Sequence, residues 1–167
     1  SSRVSDIQRV PWVMQRAFSL ARNGRPGATF VEIPSDLSAQ MQSMTDLLQL
    51  SNAIRALTLE VTRISNDMRL LASGPRTGFA EILLPAVQPG SSIMPGKVNP
   101  VMFEMLNQVC YQVLGQDAAI GYMTQAGQLE LNVMMPALGS ALFDAMDWLT
   151  RALHATTTQN LEGLTVD

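Results

Sequence analysis

Apolar residues in the middle of the chain recur with the period of a helix. From residue 47 to residue 71 they fall three and four positions apart in alternation: Leu47, Leu50, Ile54, Leu57, Val61, Ile64, Met68 and Leu71. This heptad spacing predicts a long helix that packs at a shallow angle against other helices of a bundle. Gly74 and Pro75 are expected to end that helix.

Two further helices are predicted downstream. The first starts at Pro100 and carries apolar positions at three- and four-residue spacing, with a break between residues 121 and 127. The second carries apolar positions from Leu131 to Leu153, with Pro136 at a kink or near its start. The polar tail from Thr156 is expected to fray. The predicted fold class is therefore mainly α, a segment of a long-helix bundle.

The first forty residues follow a different pattern. Pro11 opens a predicted helix that ends near Asn23, and residues 28–33 form a short β-rich run. A single strand cannot make a stable sheet by itself. We therefore divide the chain into an N-terminal αβ piece, residues 1–40, and a helical part, residues 41–167.

Composition narrows the class of partner. The net charge of the 167 residues is −3 and no basic block is present, so nucleic acid is not an expected partner. Cys110 is the single cysteine, which excludes an internal disulfide. We find no signal peptide and no apolar run long enough to span a bilayer, so we expect a cytoplasmic protein without a membrane partner.

Residues 90–100 concentrate the candidate chemistry. They read Gly-Ser-Ser-Ile-Met-Pro-Gly-Lys-Val-Asn-Pro and are called the signature loop below. Glycines let main-chain N–H groups approach a ligand closely, while Lys97 adds a cation and Asn99 an amide. The loop belongs to a long connection, residues 74–99, and long connections are often functional or mobile. We expect residues 78–96 to be mobile without ligand and to order when a dicarboxylate binds.

The signature loop resembles the motif Gly-Ser-Ser-x-x-Pro-x-Lys-x-Asn of the fumarase/aspartase superfamily, and the match is complete. The flanking runs at residues 73–82 and 127–134 resemble the superfamily as well. Residues 99–101 are more similar to aspartate ammonia-lyases than to fumarases. An ordered set of three matching segments is far more specific than a lone glycine motif.

The resemblance implies β-elimination of ammonia from L-aspartate to give fumarate, with no cofactor and no metal. It implies Ser91 as the base, acting as an alkoxide. The residues that it assigns to substrate binding are Ser92, Ile93, Met94, Lys97 and Asn99. It also implies a small dicarboxylate substrate and a homotetramer whose active sites combine residues from three subunits. Because this chain holds one of those three segments, we expect little activity from it in isolation.

Each candidate residue also has a simpler interpretation. The two serine hydroxyls are candidates for ordinary turn contacts, and Asn99 is a candidate helix N-cap directly before Pro100. Lys97 is otherwise a solvated surface charge. An alkoxide at Ser91 requires N–H donors and a cation nearby, because a serine hydroxyl is normally a very weak acid. We interpret Glu104 as an acidic residue near a helix N-terminus, and His154 as a helix C-terminal residue.

Alternatives to an ammonia-lyase remain open. One is a fumarase-like hydro-lyase that acts on malate, and another is a non-catalytic helical oligomerisation module. Residues 1–40 resemble the end of the pyrimidine-binding domain of thiamine-diphosphate enzymes, through Arg16-Ala17-Phe18, residues 24–27 and residues 33–36. No thiamine chemistry is expected, because those enzymes' cofactor-binding motifs lie elsewhere. The two parts of the chain are a natural fusion, a chimera, or a sequence from two sources.

Overall fold

The protein is described here by a computed structural model, which covers residues 44–128 and 131–166 and the backbone of residues 2–3 and 31–32. Its long helices are α1 (Thr45–Leu71), α2 (Val101–Gln125) and α3 (Met135–Thr156). Strand β1 (Ser2–Arg3) pairs in parallel with β2 (Val31–Glu32). Strand β3 (Ile82–Leu83) pairs in antiparallel with β4 (Thr165–Val166). The predicted mainly α, long-helix architecture is confirmed.

Predictions for the first forty residues fall mostly outside the described residues. This holds for the helix from Pro11 and for the three segments that resemble thiamine-diphosphate enzymes. Within the predicted β-rich run, Val31 and Glu32 do form strand β2. The division at residue 40 stays a prediction.

The core lies between α2 and α3. Phe103, Leu106, Cys110 and Val113 of α2 pack with alanines and a leucine of α3. A second cluster, near the other end of the pair, is formed by the residues Met44, Ile120, Leu138, Ala141 and Leu142. Small alanine side chains on α3 allow the two helix backbones to approach closely, and the burial of these apolar surfaces stabilises the pair.

Helix α1 packs only partly through the predicted seam. Five of its residues pack against the core clusters: Leu47, Leu50, Ile54, Val61 and Met68. Its buried residues are Ser51, Thr58 and Ser65, which are spaced by seven. The Ser65 hydroxyl donates to the main-chain oxygen of Phe103 at 3.0 Å, so a small polar side chain lets α1 approach α2 closely. Leu57 and Ile64 belong to the predicted seam, but their side chains are 52% and 50% exposed. The predicted helix is correct, and the predicted seam is confirmed in part, because it forms the contact together with a line of small polar residues.

The end of α2 lies within the predicted break at residues 121–127, and Pro136 lies in the first turn of α3 as predicted, but α3 begins later than predicted. Helix α2 begins at Val101, with Pro100 at the N-cap position, and continues past Gly121 to Gln125. Leu131 precedes α3 and forms an isolated bridge with Gln128. Buried Asn132 explains the tight connection, because its Nδ2 donates to the Met123 carbonyl at 2.9 Å and its Oδ1 accepts from the Met134 N–H at 2.9 Å. One amide thereby satisfies backbone groups at the end of α2 and the start of α3.

The polar tail is ordered, contrary to the prediction that it frays. A π-helical turn, Thr157–Leu161, continues directly from α3. Asn160 is buried within this turn, and β4 follows it. The tail obtains hydrogen bonds from β3 and burial against the loop ahead of the signature loop, which compensates for its polar composition. Among the described residues, no helix is both long enough and apolar enough to cross a membrane.

Candidate active site

A tight turn shapes the signature loop. The Lys97 N–H donates to the Met94 carbonyl at 3.1 Å, which closes a four-residue turn with Pro95 and Gly96 at its centre. Gly96 has φ +81°, the left-handed backbone that a type II turn requires at its third position. Proline at the second position and glycine at the third suit that turn. The local sequence therefore fixes the direction in which Lys97 leaves the loop.

A second main-chain hydrogen bond closes the loop on itself. The Ser91 N–H donates to the Lys97 carbonyl at 3.0 Å. A Cβ at Gly90 would clash with that same oxygen, so a larger residue does not fit there without a shift of the backbone. Gly90 is thus required by close backbone approach, and Ser91 is held beside Lys97 in the fold.

The Ser91 hydroxyl accepts hydrogen bonds from two main-chain N–H groups of the loop. Its Oγ accepts the N–H of Ile93 at 3.2 Å and the N–H of Met94 at 3.1 Å. The residue is partly buried, whereas every residue from 92 to 99 is exposed. Donors that point at an oxygen stabilise its anionic form relative to its neutral form. The same pattern is an ordinary serine turn motif, so geometry alone fits both interpretations.

The main-chain N–H groups of Ile93 and Met94 have a hydrogen-bond partner within the loop. The resemblance assigns their N–H groups to the charge that develops on the substrate. In this structure both N–H groups point at Ser91 Oγ instead. Their side chains are exposed, with Ile93 at 87%. Their predicted contact with substrate stays a prediction, while their contact with the candidate base is a feature of the fold.

Ser92, Lys97 and Asn99 all lie on the exposed side of the loop. Among the described residues, no carboxylate lies within 4.0 Å of the Lys97 ammonium to form an ion pair. A cation that has no such partner in this part of the chain is available to an anionic ligand. The structure therefore brings together Ser91 and Lys97 through the backbone, and leaves the Lys97 side chain on an open surface.

The N-cap interpretation of Asn99 is wrong. Pro100 occupies the N-cap position of α2, and no side chain of the residues that the structure describes caps the helix there. Asn99 instead supplies its main-chain oxygen to the Val101 N–H at 2.8 Å. Its side-chain amide is exposed and is not used by the helix. The amide thus lacks the structural role that competed with substrate contact.

A polar cluster joins α1 to the first turns of α2, directly after the signature loop. Glu104 Oε1 lies 3.7 Å from a terminal guanidinium nitrogen of Arg69. Beside this pair, Asn107 Nδ2 donates to Asn66 Oδ1 at 2.8 Å. Glu104 lies in the first turn of α2, where an acidic residue interacts favourably with the helix dipole, as the sequence predicted. The cluster fixes the helix that follows the loop against α1.

The run ahead of the loop is closed against the end of α1. The Ser73 carbonyl accepts the Ala80 N–H at 2.7 Å, and the Ser73 hydroxyl accepts the Phe79 N–H at 3.3 Å. A Cβ at Gly78 would clash with the Ser73 carbonyl group. Serine and glycine in this flanking run therefore build a compact turn rather than contribute reactive groups.

The remaining candidates lie away from the loop's chemistry. His154 is exposed in the last turn of α3, in agreement with its predicted place. Cys110 is buried in the core, where desolvation raises the pKa of the thiol and a hydrogen bond with Thr62 lowers it by less. No group of three His, Cys, Asp or Glu residues that could hold a metal ion occurs among the described residues. Glu130, in the flanking run at residues 127–134, lies outside the described residues.

Sequence reasoning missed two residues that support the loop, Arg69 and Asn160. Arg69 follows the seam residue Met68, and nothing in its spacing distinguishes it from a solvated charge. Asn160 lies in the tail for which the sequence predicts fraying. The alternation of Leu164 and Val166 is a signal for a strand there, because strand residues two apart share a face. That signal is weak, because the run is so short.

Comparison with known proteins identifies the family. A family model described as lyase matches residues 27–115, just over half of the chain. The chain belongs to this lyase family, and the predicted membership of the fumarase/aspartase superfamily is confirmed. The match begins at residue 27, within the N-terminal piece that we divide from the helical part at residue 40. The thiamine-enzyme likeness of residues 1–40 stays a prediction.

Individual relatives are more specific. The chain is 44% identical to an aspartate ammonia-lyase of Helicobacter pylori over 144 residues, which is 86% of this chain and 30% of that protein. A solved fumarate lyase:delta crystallin from Brucella melitensis is 40% identical, with a TM-score of 0.74 over 82% of this chain and 32% of the other. A class II fumarase from Schistosoma mansoni is 32% identical, with a TM-score of 0.76 over 96% of this chain and 34% of the other. The chain thus spans about a third of the length of these relatives.

Proposed function

We propose that this chain supplies the signature loop of an enzyme that eliminates ammonia from L-aspartate to give fumarate. The observation that carries the proposal is the environment of Ser91, whose Oγ accepts two backbone N–H groups inside a complete signature motif. Similarity to aspartate ammonia-lyases supports aspartate as the substrate. A cytoplasmic location is part of the proposal.

In this reaction Ser91 acts as the base, and Lys97 and Asn99 bind the substrate. The Ser91 alkoxide takes the proton from the carbon beside a carboxylate, and the electron pair moves into that carboxylate. The carbon–nitrogen bond then breaks, ammonia leaves and the double bond of fumarate forms. Lys97 and Asn99 hold the substrate carboxylates, and their positive and N–H groups balance the charge that accumulates there. Neither a metal nor a cofactor takes part in these steps.

A homotetramer would complete the site. The loop leaves the side chains of Ser92, Lys97 and Asn99 on an open surface, and effective proton abstraction requires the base and the charge-stabilising groups to be held together. The other groups would come from further segments and from other subunits. The isolated chain would accordingly show little or no turnover.

The test compares the two adjacent serines in a complete enzyme that carries this loop. Ser91→Ala should lower kcat by about 100- to 10,000-fold, the range expected for loss of a general base, with a much smaller change in KM. Ser92→Ala is the matched control in the same turn and should lie between wild type and Ser91→Ala. A larger loss from Ser92→Ala would move the base to Ser92 and refute the assignment.

A second candidate is a fumarase-like hydro-lyase, which similarity to a class II fumarase favours. Fumarate formation can be followed by ultraviolet absorbance with aspartate or malate as the substrate. Turnover of aspartate alone supports the ammonia-lyase, whereas turnover of malate alone supports the hydro-lyase. A complete enzyme that turned over neither substrate would support the third interpretation, a helical oligomerisation module.

A further inference from the structure

The segment after α3 contacts the chain just ahead of the signature loop. Asn160 Nδ2 donates to the main-chain oxygen of Pro85 at 3.4 Å, across 75 positions of sequence. Strand β4 pairs with β3 in the register Ile82 with Val166 and Leu83 with Thr165. Two segments far apart in sequence are therefore joined by hydrogen bonds at one place, shortly before Ser91.

Close packing reinforces these hydrogen bonds. A Cβ at Gly163 would lie 2.6 Å from Cγ of Pro85, so glycine is what allows the tail to lie against the proline ring. On the other side, Leu84 packs against the core cluster between α2 and α3. Residues 82–85 are thus held between the tail and the helix pair.

The burial of Asn160 is the unusual feature of this contact. The residue is 1% exposed, and its Oδ1 is buried with no hydrogen-bond partner among the described residues. A buried amide that uses only one of its polar atoms stabilises a fold poorly and calls for another explanation. The residue also lies in a π-helical turn, a distortion that often occurs at functional sites.

The chain between Pro85 and Ser91 is held much less firmly. Within the described part of the structure, residues 86–90 make no main-chain hydrogen bond to the helices. The hydrogen bonds of residues 91–97 are local to the loop, and the next firm point is the start of α2. The chain is therefore fixed at one point on each side of the signature loop. These two points, residues 82–85 and the first turn of α2, are called its anchors.

We propose that residues 157–166 form a clamp that fixes the first of these anchors, and that Asn160 is a positioning residue for Ser91. The clamp sets the point from which the loop can move, so motion on ligand binding is confined to residues 86–99 rather than the predicted 78–96. The catalytic meaning of this motion rests on the proposed function. The clamp itself does not, because its test measures the loop directly.

The test is amide hydrogen exchange of the full chain, with Asn160→Ala compared with wild type. Loss of the donor to Pro85 should speed exchange by about 5- to 30-fold, the factor for loss of one or two hydrogen bonds, at residues 82–84 and 91–94. Exchange within α2 and α3 should stay at the wild-type rate. Thr158→Ala is the matched control, because within the described part of the chain the Thr158 hydroxyl bonds only to carbonyls of its own helix end. It should leave the loop unchanged.

Two results would overturn the clamp. Unchanged exchange at residues 82–84 and 91–94 in a folded Asn160→Ala variant would show that the amide does not hold the loop. A uniform increase across all helices would show only a general loss of stability. If Asn160→Ala does not fold, deletion of residues 164–167 tests the clamp instead, because it removes β4 and leaves Asn160 in place. Wild-type exchange in that deletion would refute the clamp.

The clamp and the proposed function fail separately. In a complete enzyme that carries this loop, absence of turnover in the wild type would refute the function and leave the exchange result standing. If wild type turns over substrate, Asn160→Ala should lower kcat more than it raises KM, because the base is misplaced while the exposed carboxylate-binding groups remain.

Discussion

Ser91 and Ser92 differ in environment although they are adjacent in one turn. Ser91 Oγ accepts two N–H groups and is partly buried, while Ser92 is exposed. The sequence alone cannot distinguish them, because both are serines between the same glycines. Backbone closure by Lys97 and the lack of space at Gly90 turn Ser91 toward the donors. The choice between two identical side chains is therefore made by main-chain geometry.

Cys110 offers a test of burial at the residue scale. Desolvation raises the pKa of its thiol above the ordinary 9.0, and the hydrogen bond with Thr62 opposes this more weakly. The folded chain therefore holds this proton to higher pH than the unfolded chain does. Its contribution to stability is fully present below pH 9.0 and is lost as pH rises through the folded-state pKa.

We predict that the stability difference between wild type and Cys110→Ala shrinks as pH rises above 9.0. Every other titratable group is common to both proteins, so its effect cancels in the difference. Urea unfolding followed by circular dichroism, below and above that pH, measures it. A difference that stays constant across the range would contradict the buried, protonated thiol.

At the scale of elements, the sequence predicted the helices better than their contacts. The apolar period located α1, and the predicted stop at Gly74 and Pro75 lies three residues beyond its observed last residue, Leu71, because periodicity and a glycine–proline stop are local signals. The buried line of Ser51, Thr58 and Ser65 could not be read from that period, since small polar residues are normally taken as solvent-facing. How closely two helices pack depends on the side chains of both, and the apolar pattern of one helix describes only its own side chains.

In the signature loop too, local structure was predictable from the sequence and long-range contacts were not. Its glycines, proline and lysine predicted a turn and a site, and the turn around Pro95 and Gly96 is present. The ordering of the tail against β3 was not predictable in the same way. It depends on pairing between Ile82 and Val166, which are far apart in the chain, and local propensity does not encode such pairing. The sequence therefore predicted the location of the site, but not the contacts that support it.

Ser65 provides the test of the α1–α2 contact. Ser65→Leu should lower the free energy of unfolding by about 1–3 kcal/mol, because the larger side chain must be accommodated where Ser65 contacts the main chain of Phe103. Ser65→Ala, which loses only the hydrogen bond to Phe103, should cost about 1 kcal/mol. Ile64→Leu is a volume-matched control at an exposed position and should be nearly neutral. Greater stability in Ser65→Leu would show that apolar residues are preferred in this contact.

At the scale of the whole molecule, α1 has apolar residues on both sides of its buried line. Leu57 and Ile64 are exposed on one side, and Leu59 and Leu70 are exposed on the other. Because a helix turns by about 100° per residue, these two pairs lie on opposite flanks of Thr58, which is buried in the line between them. Exposed apolar patches of this kind mark surfaces that other chains cover. The heptad residues between these flanks pack within this chain, so the exposed flanks are the surfaces that remain for other chains.

We predict on this basis that the chain is not a monomer at micromolar concentration. Light scattering should give a mass that is a multiple of 18.2 kDa. The double substitution Leu57→Lys and Ile64→Lys should lower that mass, because two buried cations in the new interface would be unpaired and costly. Thr150→Lys, at an exposed position of α3, adds charge without removing apolar surface and should keep the wild-type mass. A folded wild-type chain with the mass of one copy would refute the prediction, and a lysine pair that left the multiple unchanged would move the interface to the flank of Leu59 and Leu70.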